Sequence, residues 1–231
     1  MKKQLQILAA MALLLGSQRP SVAQQATTKP FELMSVRMEQ NATDEDAEIV
    51  FEAAGIKYGL VQLTVVSPDG RNVIDFSAPA GSVGIRQFLL ESPEPGDIAS
   101  LKAAYPEGVY RFTGTTSTGT KLAGETKLSH ALPPASSIVG PRGGSVAAEK
   151  IEINWAPVEG VAAYVVSIEQ EEMNLSVEAR LPATASRFKV PDGFALPGTA
   201  YKLAVGAVMA SGNASFVEKT ITTAAAAKKA P

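Results

Sequence analysis

LPGTAYKLAVGA, residues 196–207, decides the fold. Tyr201, Leu203, Val205 and Ala207 alternate with Lys202, Ala204 and Gly206. Successive side chains of a strand point to opposite faces, so this period of two predicts a strand with one apolar face turned to a core.

The same alternation extends outward on the N-terminal side. Ile151, Ile153 and Trp155 share one face, as do Tyr164, Val166 and Ile168, and then Phe188 and Val190. Further upstream, short runs rich in β-branched and aromatic residues are separated by Gly and Pro: Ala47 to Ala53, Leu60 to Val66, Asn72 to Phe76, Arg86 to Leu90, Val109 to Thr113 and Thr120 to Lys127. Pro68-Asp69-Gly70 sets a proline φ and offers a left-handed glycine, which predicts a hairpin over residues 60–77. Pro106-Glu107-Gly108 plays the same part before Val109, and Gly119 marks another reversal. Only Asp97 to Ala104 reads as a helix, with Ile98, Leu101 and Ala104 three apart and Asp97 as its cap. Residues 132–141 (LPPASSIVGP) read as a stiff, extended connector between two domains.

Residues 136–223 resemble a fibronectin type III domain. The resemblance rests on Trp155 near the end of an early strand, Pro157 and Gly160, the Tyr164 strand, and Leu196-Pro197-Gly198-Thr199-x-Tyr201. It implies that Trp155 fills the centre of a sandwich, that the Tyr201 hydroxyl bonds back to upstream backbone, and that a last strand runs from Phe216 to Thr222. The N-terminal half is similar to a group of secreted bacterial proteins in which such a half precedes this kind of sandwich. The matching pieces are Thr43-Asp44-x-Asp46-Ala47, Pro68-Asp69-Gly70-Arg71, Pro106-Glu107-Gly108-x-Tyr110-x-Phe112-x-Gly114 and Ser129-His130-x-Leu132-Pro133. That resemblance implies no activity. The expected fold is all-β, with two β-sandwich-like domains in tandem, residues 31–132 and 136–223, the second fibronectin type III-like (immunoglobulin-like).

The ends carry different information. Lys2 and Lys3, an apolar run from Ile7 to Gly16, and the small residues Ser21 and Ala23 make residues 1–23 a secretory signal with cleavage expected after Ala23. The run is too short to span a bilayer, and no cysteine follows it to take a lipid, so an exported, soluble chain in the periplasm or outside the cell is expected. Residues 24–30 read as a flexible lead-in and residues 224–231 (AAAAKKAP) as a low-complexity tail.

Composition removes several chemistries. Of 21 Lys and Arg, three lie in residues 1–23, so the remaining 208 residues carry 18 against 23 acids, a net charge of −5. An acidic chain with no basic stripe does not fit nucleic-acid binding. With no cysteine there is no disulfide, no thiolate nucleophile and no thiolate zinc site. His130 is the only histidine, and it lies at the edge of the connector, where a general base would be poorly held. Ser186-x-x-Lys189 matches a serine–lysine pattern by letter, but residues three apart on a strand face opposite sides. Gly143-x-Ser145-x-Ala147 lacks the strand–turn–helix setting of a nucleophile elbow.

No catalytic residue and no cofactor is assigned. The metal candidates are Asp44, Asp46 and Glu48, whose spacing departs from an EF-hand loop, so a solvated acidic turn is the preferred reading. Glu169, Glu171 and Glu172 mark a second acidic turn. Trp155, Tyr110, Tyr164 and Tyr201 are assigned to cores, leaving Tyr58 and Phe194 as the rings free to stack on a sugar. There is no Arg-Gly-Asp triplet. Asn41-x-Thr43, Asn174-x-Ser176 and Asn213-x-Ser215 are glycosylation acceptors by letter. The expected function is a non-catalytic binding or scaffold protein of the bacterial envelope that presents sheet edges and the loop Ala210 to Ala214 to another protein. A hydrolase built on two carboxylates and a calcium-dependent module are the alternatives.

Overall fold

The computed structural model describes residues 28–226, apart from positions 56, 96, 143 and 144. The expected signal at 1–23 and the basic end of the tail lie outside the described residues. Among the described residues, fourteen strands, one short α-helix and one 3-10 turn (Ala148–Lys150) follow one another.

The first half holds β1 (Leu33–Asn41), β2 (Asp46–Ala54), β3 (Leu60–Val66), β4 (Asn72–Ser77), β5 (Gln87–Glu91), α1 (Ile98–Ala104), β6 (Gly108–Thr116) and β7 (Lys121–Leu128). Its strands form two layers, β1-β2-β5 and β4-β3-β6-β7, closed over a core that includes Met38, Ile49, Leu63, Tyr110, Phe112 and Leu128. The second half holds β8 (Ile138–Gly140), β9 (Glu152–Trp155), β10 (Ala163–Gln170), β11 (Leu175–Pro182), β12 (Arg187–Lys189), β13 (Ala200–Val208) and β14 (Ala214–Thr222). Its layers are β8-β9-β12 and β11-β10-β13-β14, around Trp155, Tyr164, Val166, Leu203 and Val205. Numbering each half from its own first strand gives the same order, 1-2-5 against 4-3-6-7. The chain is therefore all-β, two sandwiches of one design, the second as its resemblance implies and the first of the same kind.

Local chemistry explains the reversals. At the β3–β4 turn Gly70 takes φ 86° and Asp69 accepts from the Arg71 guanidinium at 2.7 Å. Arg71 also donates to the Ala104 carbonyl at the end of α1, at 2.7 Å, so the turn holds the helix. Gly108 stands 2.8 Å, measured to the Cβ it lacks, from the Pro68 ring, which leaves no room for a side chain there. Asp97 caps α1 by accepting from the Ala99 N–H at 2.9 Å.

Both halves lock a tyrosine at the start of the matching strand. The Tyr201 hydroxyl accepts from the Leu196 N–H at 2.8 Å, and the Tyr110 hydroxyl donates to the Pro106 carbonyl at 3.1 Å. Trp155 packs against Tyr164 with ring centroids 5.3 Å apart, at the centre of the second core.

The two sandwiches share a sheet. β14 pairs in parallel with β1, Glu39 opposite Ala214 and Asn41 opposite Phe216, so that one seven-stranded sheet runs β11-β10-β13-β14-β1-β2-β5 across both halves. The pairing is extended by the Ala42 N–H donating to the Phe216 carbonyl and the Glu218 N–H donating to Thr43 Oγ1, both at 2.8 Å.

The connector is strapped to this seam. Asn213, 1 % exposed, donates through Nδ2 to the Ser129 and Ala131 carbonyls at 2.7 and 2.8 Å, and its Oδ1 accepts from the Met38 N–H at 3.0 Å. Ser215 Oγ donates to the Pro133 carbonyl at 2.7 Å. The expected free loop 210–214 is thus corrected: Asn213 and Ala214 are buried in the junction, because the connector's carbonyls need donors there. The same burial leaves no room for a glycan on Asn213. The lead-in is also corrected where it is described, since Lys29 bonds on both sides to β7, through Lys121 and Ala123.

Candidate functional site: the open face of the shared sheet

Each strand of the seven-stranded sheet gives one face to a core and the other outward. On β10 the outward residues include Val165 and Ser167, on β13 Ala204 and Gly206, on β14 Ala214, Phe216 and Glu218, on β1 Ser35, Arg37 and Glu39, on β2 Glu48, Glu52 and, buried between them, Val50, and on β5 Leu89 and Glu91. Because Glu39 pairs with Ala214 and Asn41 with Phe216, the outward sets meet in phase across the seam. Among the described residues no third layer covers this face.

The face is a shallow trough of about 520 Å³ crossing both halves, floored by Leu33, Leu89, Val165, Val208 and Phe216. Gly206 makes the floor possible: a Cβ there would meet the Phe216 ring at 2.3 Å, so the ring lies flat over the bare backbone. Around the floor the charge is mostly negative. Arg37 donates to Glu39 at 2.6 Å and to Glu52 at 3.2 Å, and Gln87 donates to Glu52 at 3.0 Å. This chain spans β1, β2 and β5. Lys202 lies 3.6 Å from Glu218. Glu91 and Glu178 have no cation within ion-pair distance among the described residues.

At one end of the seam a recess of about 240 Å³ is lined by Glu39, Asp46, Glu48, Glu94, Ser167, Phe216 and Glu218. Burial, then the neighbouring charges of Glu91, Glu39 and Glu94, push the Glu48 carboxyl up to about 7, and Arg37 only partly offsets them.

The acidic candidates separate in the structure. Asp44 lies in the β1–β2 turn, where it accepts from Asn41 Nδ2 at 2.8 Å. Asp46 and Glu48 lie on the outward face of β2, since Ala47 and Ile49 point into the core. Among the described residues no three His, Asp or Glu side chains come together as a metal site. His130 sits at the junction, its Nε2 2.8 Å from the Tyr105 carbonyl, while its backbone N–H donates to Glu107 at 2.6 Å and holds that carboxyl below the usual range. Lys189 pairs with Asp192 rather than with Ser186. Phe194 packs on Tyr201, centroids 5.9 Å apart, and is no free ring for a sugar; Tyr58 is exposed. Tyr110, Tyr164, Tyr201 and Trp155 are all buried in cores.

Sequence reasoning missed Arg37, Glu39, Glu91 and Phe216 as members of one face. The outward half of each alternation was visible, but which strands lie side by side was not.

Two β-sandwiches of one strand order, the second fibronectin type III-like, are the class this architecture defines. A two fibronectin type-III domain segment from chicken tenascin aligns over 84 % of this chain and 100 % of its own, at 15 % identity and a TM-score of 0.33. The chicken CNTN1 FN1-FN3 domains align over 85 % of this chain and 69 % of theirs, at 12 % identity and 0.31. A tetra-tandem repeat in the extending region of a large adhesion protein aligns over 84 % of this chain and 50 % of its own, at 16 % and 0.31. No protein-family model matches the chain, and no curated protein matches it.

Proposed function

We propose that the chain is a non-catalytic scaffold protein of the bacterial envelope that holds a partner protein on the open face of its shared sheet. The observation that carries this reading is the in-phase seam between β14 and β1, which turns two small sandwiches into one continuous platform. An apolar floor bordered by four carboxylates and the two arginines Arg37 and Arg180, acidic on balance, fits a basic segment that also carries apolar side chains: burial supplies affinity, and complementary charge supplies orientation and rate. The export expected from residues 1–23 puts this platform where such a partner would be met.

The test is crosslinked affinity capture from the native envelope with the wild-type chain and with Glu178→Lys, a carboxylate of β11 that lines the trough. A partner enriched by the wild type, lost from the variant and weakened by salt supports the reading. A partner held equally by the variant, or none above an untagged control, overturns it.

One observation favours a second reading. A carboxyl titrating at about 7 beside others in a recess is the arrangement of a general acid with a carboxylate partner, as in glycoside hydrolysis. Turnover of any glycoside in a panel, abolished by Glu48→Gln, would establish it; no turnover by the wild type removes it.

A further inference from the structure

β5 ends the seven-stranded sheet, and among the described residues nothing pairs with its far side. The other edges are blunted. β11 carries Glu178, Arg180 and Pro182, β12 carries Arg187 and Lys189, β4 carries Asp75, β7 is covered by Lys29, and β8 is three residues long. These are the usual devices against edge pairing. β5 is short and carries one charge, Glu91, at its end, but Phe88-Leu89-Leu90 sets three apolar residues in a row, the strand keeps its register with β2 throughout, and Leu89 is 54 % exposed.

The hydrogen-bond direction is also right. The Ser92 N–H donates to the Ile49 carbonyl and the Gly55 N–H to the Arg86 carbonyl, so the even-numbered residues of β5 bond toward β2. By alternation, the N–H and C=O groups of Gln87, Leu89 and Glu91 point away from the sheet.

We propose that β5 is a self-pairing edge, through which two copies of the chain join antiparallel about a two-fold axis into one continuous sheet. The partner is a second copy because the strand complements itself. In the register that pairs all five residues, Leu89 faces Leu89 of the second copy, Phe88 faces Leu90, and Gln87 faces Glu91. Every pair is apolar on apolar or amide on carboxylate, and no like charges meet. Leu89, Gln87 and Glu91 are then the hydrogen-bonded positions, matching the free backbone groups. The pairing leaves the trough open, doubles the platform and does not depend on what the trough binds.

The experiment uses the absence of cysteine from the chain. Leu89→Cys places the two thiols at a hydrogen-bonded antiparallel pair, with Cα atoms about 5.5 Å apart, inside the roughly 4.4–6.8 Å range a disulfide spans. Leu175→Cys, also exposed and on the β11 edge, is the control. Expected are a concentration-dependent dimer in sedimentation equilibrium, rapid oxidation of Leu89→Cys to a covalent dimer with the control remaining monomeric, and loss of the dimer in Leu89→Lys with the β-sheet circular dichroism of the wild type retained. A wild-type chain that stays monomeric at every concentration, a Leu89→Lys variant that still dimerises, or a Leu89→Cys variant that crosslinks no faster than the control would each overturn the proposal. So would a monomer that takes a foreign strand on β5.

Discussion

Replacing Glu48 by Gln isolates the electrostatics of the seam. Glu48 titrates at about 7 when folded and at 4.5 as a free side chain, because burial and the charges of Glu91, Glu39 and Glu94 oppose its ionisation. A raised folded value means that the neutral form favours folding: its contribution is complete below about pH 4.5 and is lost as the pH rises through about 7. The full linkage of that displacement is about 3 kcal/mol at 1.36 kcal/mol per pH unit. Glu48 keeps partial contact with water, and screening brings the expected effect to about 1–2 kcal/mol. The variant should therefore match the wild type at about pH 4 and be about 1–2 kcal/mol more stable at about pH 8, roughly 3–6 °C in melting temperature. Urea and thermal unfolding of both proteins across that range measure the difference, in which the acids common to both cancel. Parallel stability curves, or a variant that loses stability at high pH, would refute the reasoning.

Other substitutions probe the seam and the cores. Asn213→Ala removes the donors to Ser129 and Ala131 and the acceptor for Met38 from a buried site, and urea unfolding should show a loss of about 2–4 kcal/mol. Tyr110→Phe and Tyr201→Phe each delete one hydroxyl bond at matching places in the two sandwiches and should cost about 1 kcal/mol apiece; additivity in the double variant would reflect their separation in different cores. Gly206→Ala drives a methyl into the Phe216 ring, and calorimetry should show a loss of about 1–3 kcal/mol as the ring is displaced from the trough floor. Calcium should leave the melting temperature of the wild type unchanged, since Asp44 is turned to Asn41 while Asp46 and Glu48 lie on the strand; a rise in the melting temperature that Glu48→Gln abolishes would contradict this.

The strands of the second sandwich were legible because aromatic and β-branched residues alternate cleanly there, as at Tyr201, Leu203 and Val205. The hairpin at 60–77 and the helix capped by Asp97 were legible from turn and cap chemistry. β1 was not singled out, although Met34, Val36 and Met38 alternate with Ser35 and Arg37, because methionine does not announce a strand. The kinship of the two halves had a signal that went unused: Pro106-Glu107-Gly108-Val109-Tyr110 and Leu196-Pro197-Gly198-Thr199-Ala200-Tyr201 both set a turn before a tyrosine that bonds back to it. The trough and the Glu48 recess were beyond sequence reasoning. They depend on β14 lying beside β1, a pairing across some 175 positions whose register no local pattern encodes. The loop at Asn213 misled for the same reason, since small polar residues suit an exposed turn as well as a buried strap.

The shared sheet is the central claim, and amide hydrogen exchange resolved by residue tests it most directly. The Met38, Ala42 and Glu218 N–H groups bond across the junction, to Asn213, Phe216 and Thr43. If the two sandwiches form one platform, these amides exchange as slowly as those of the core strands β2 and β13. If they exchange as fast as the amides of the exposed turns, the seam opens readily and the two sandwiches are independent units.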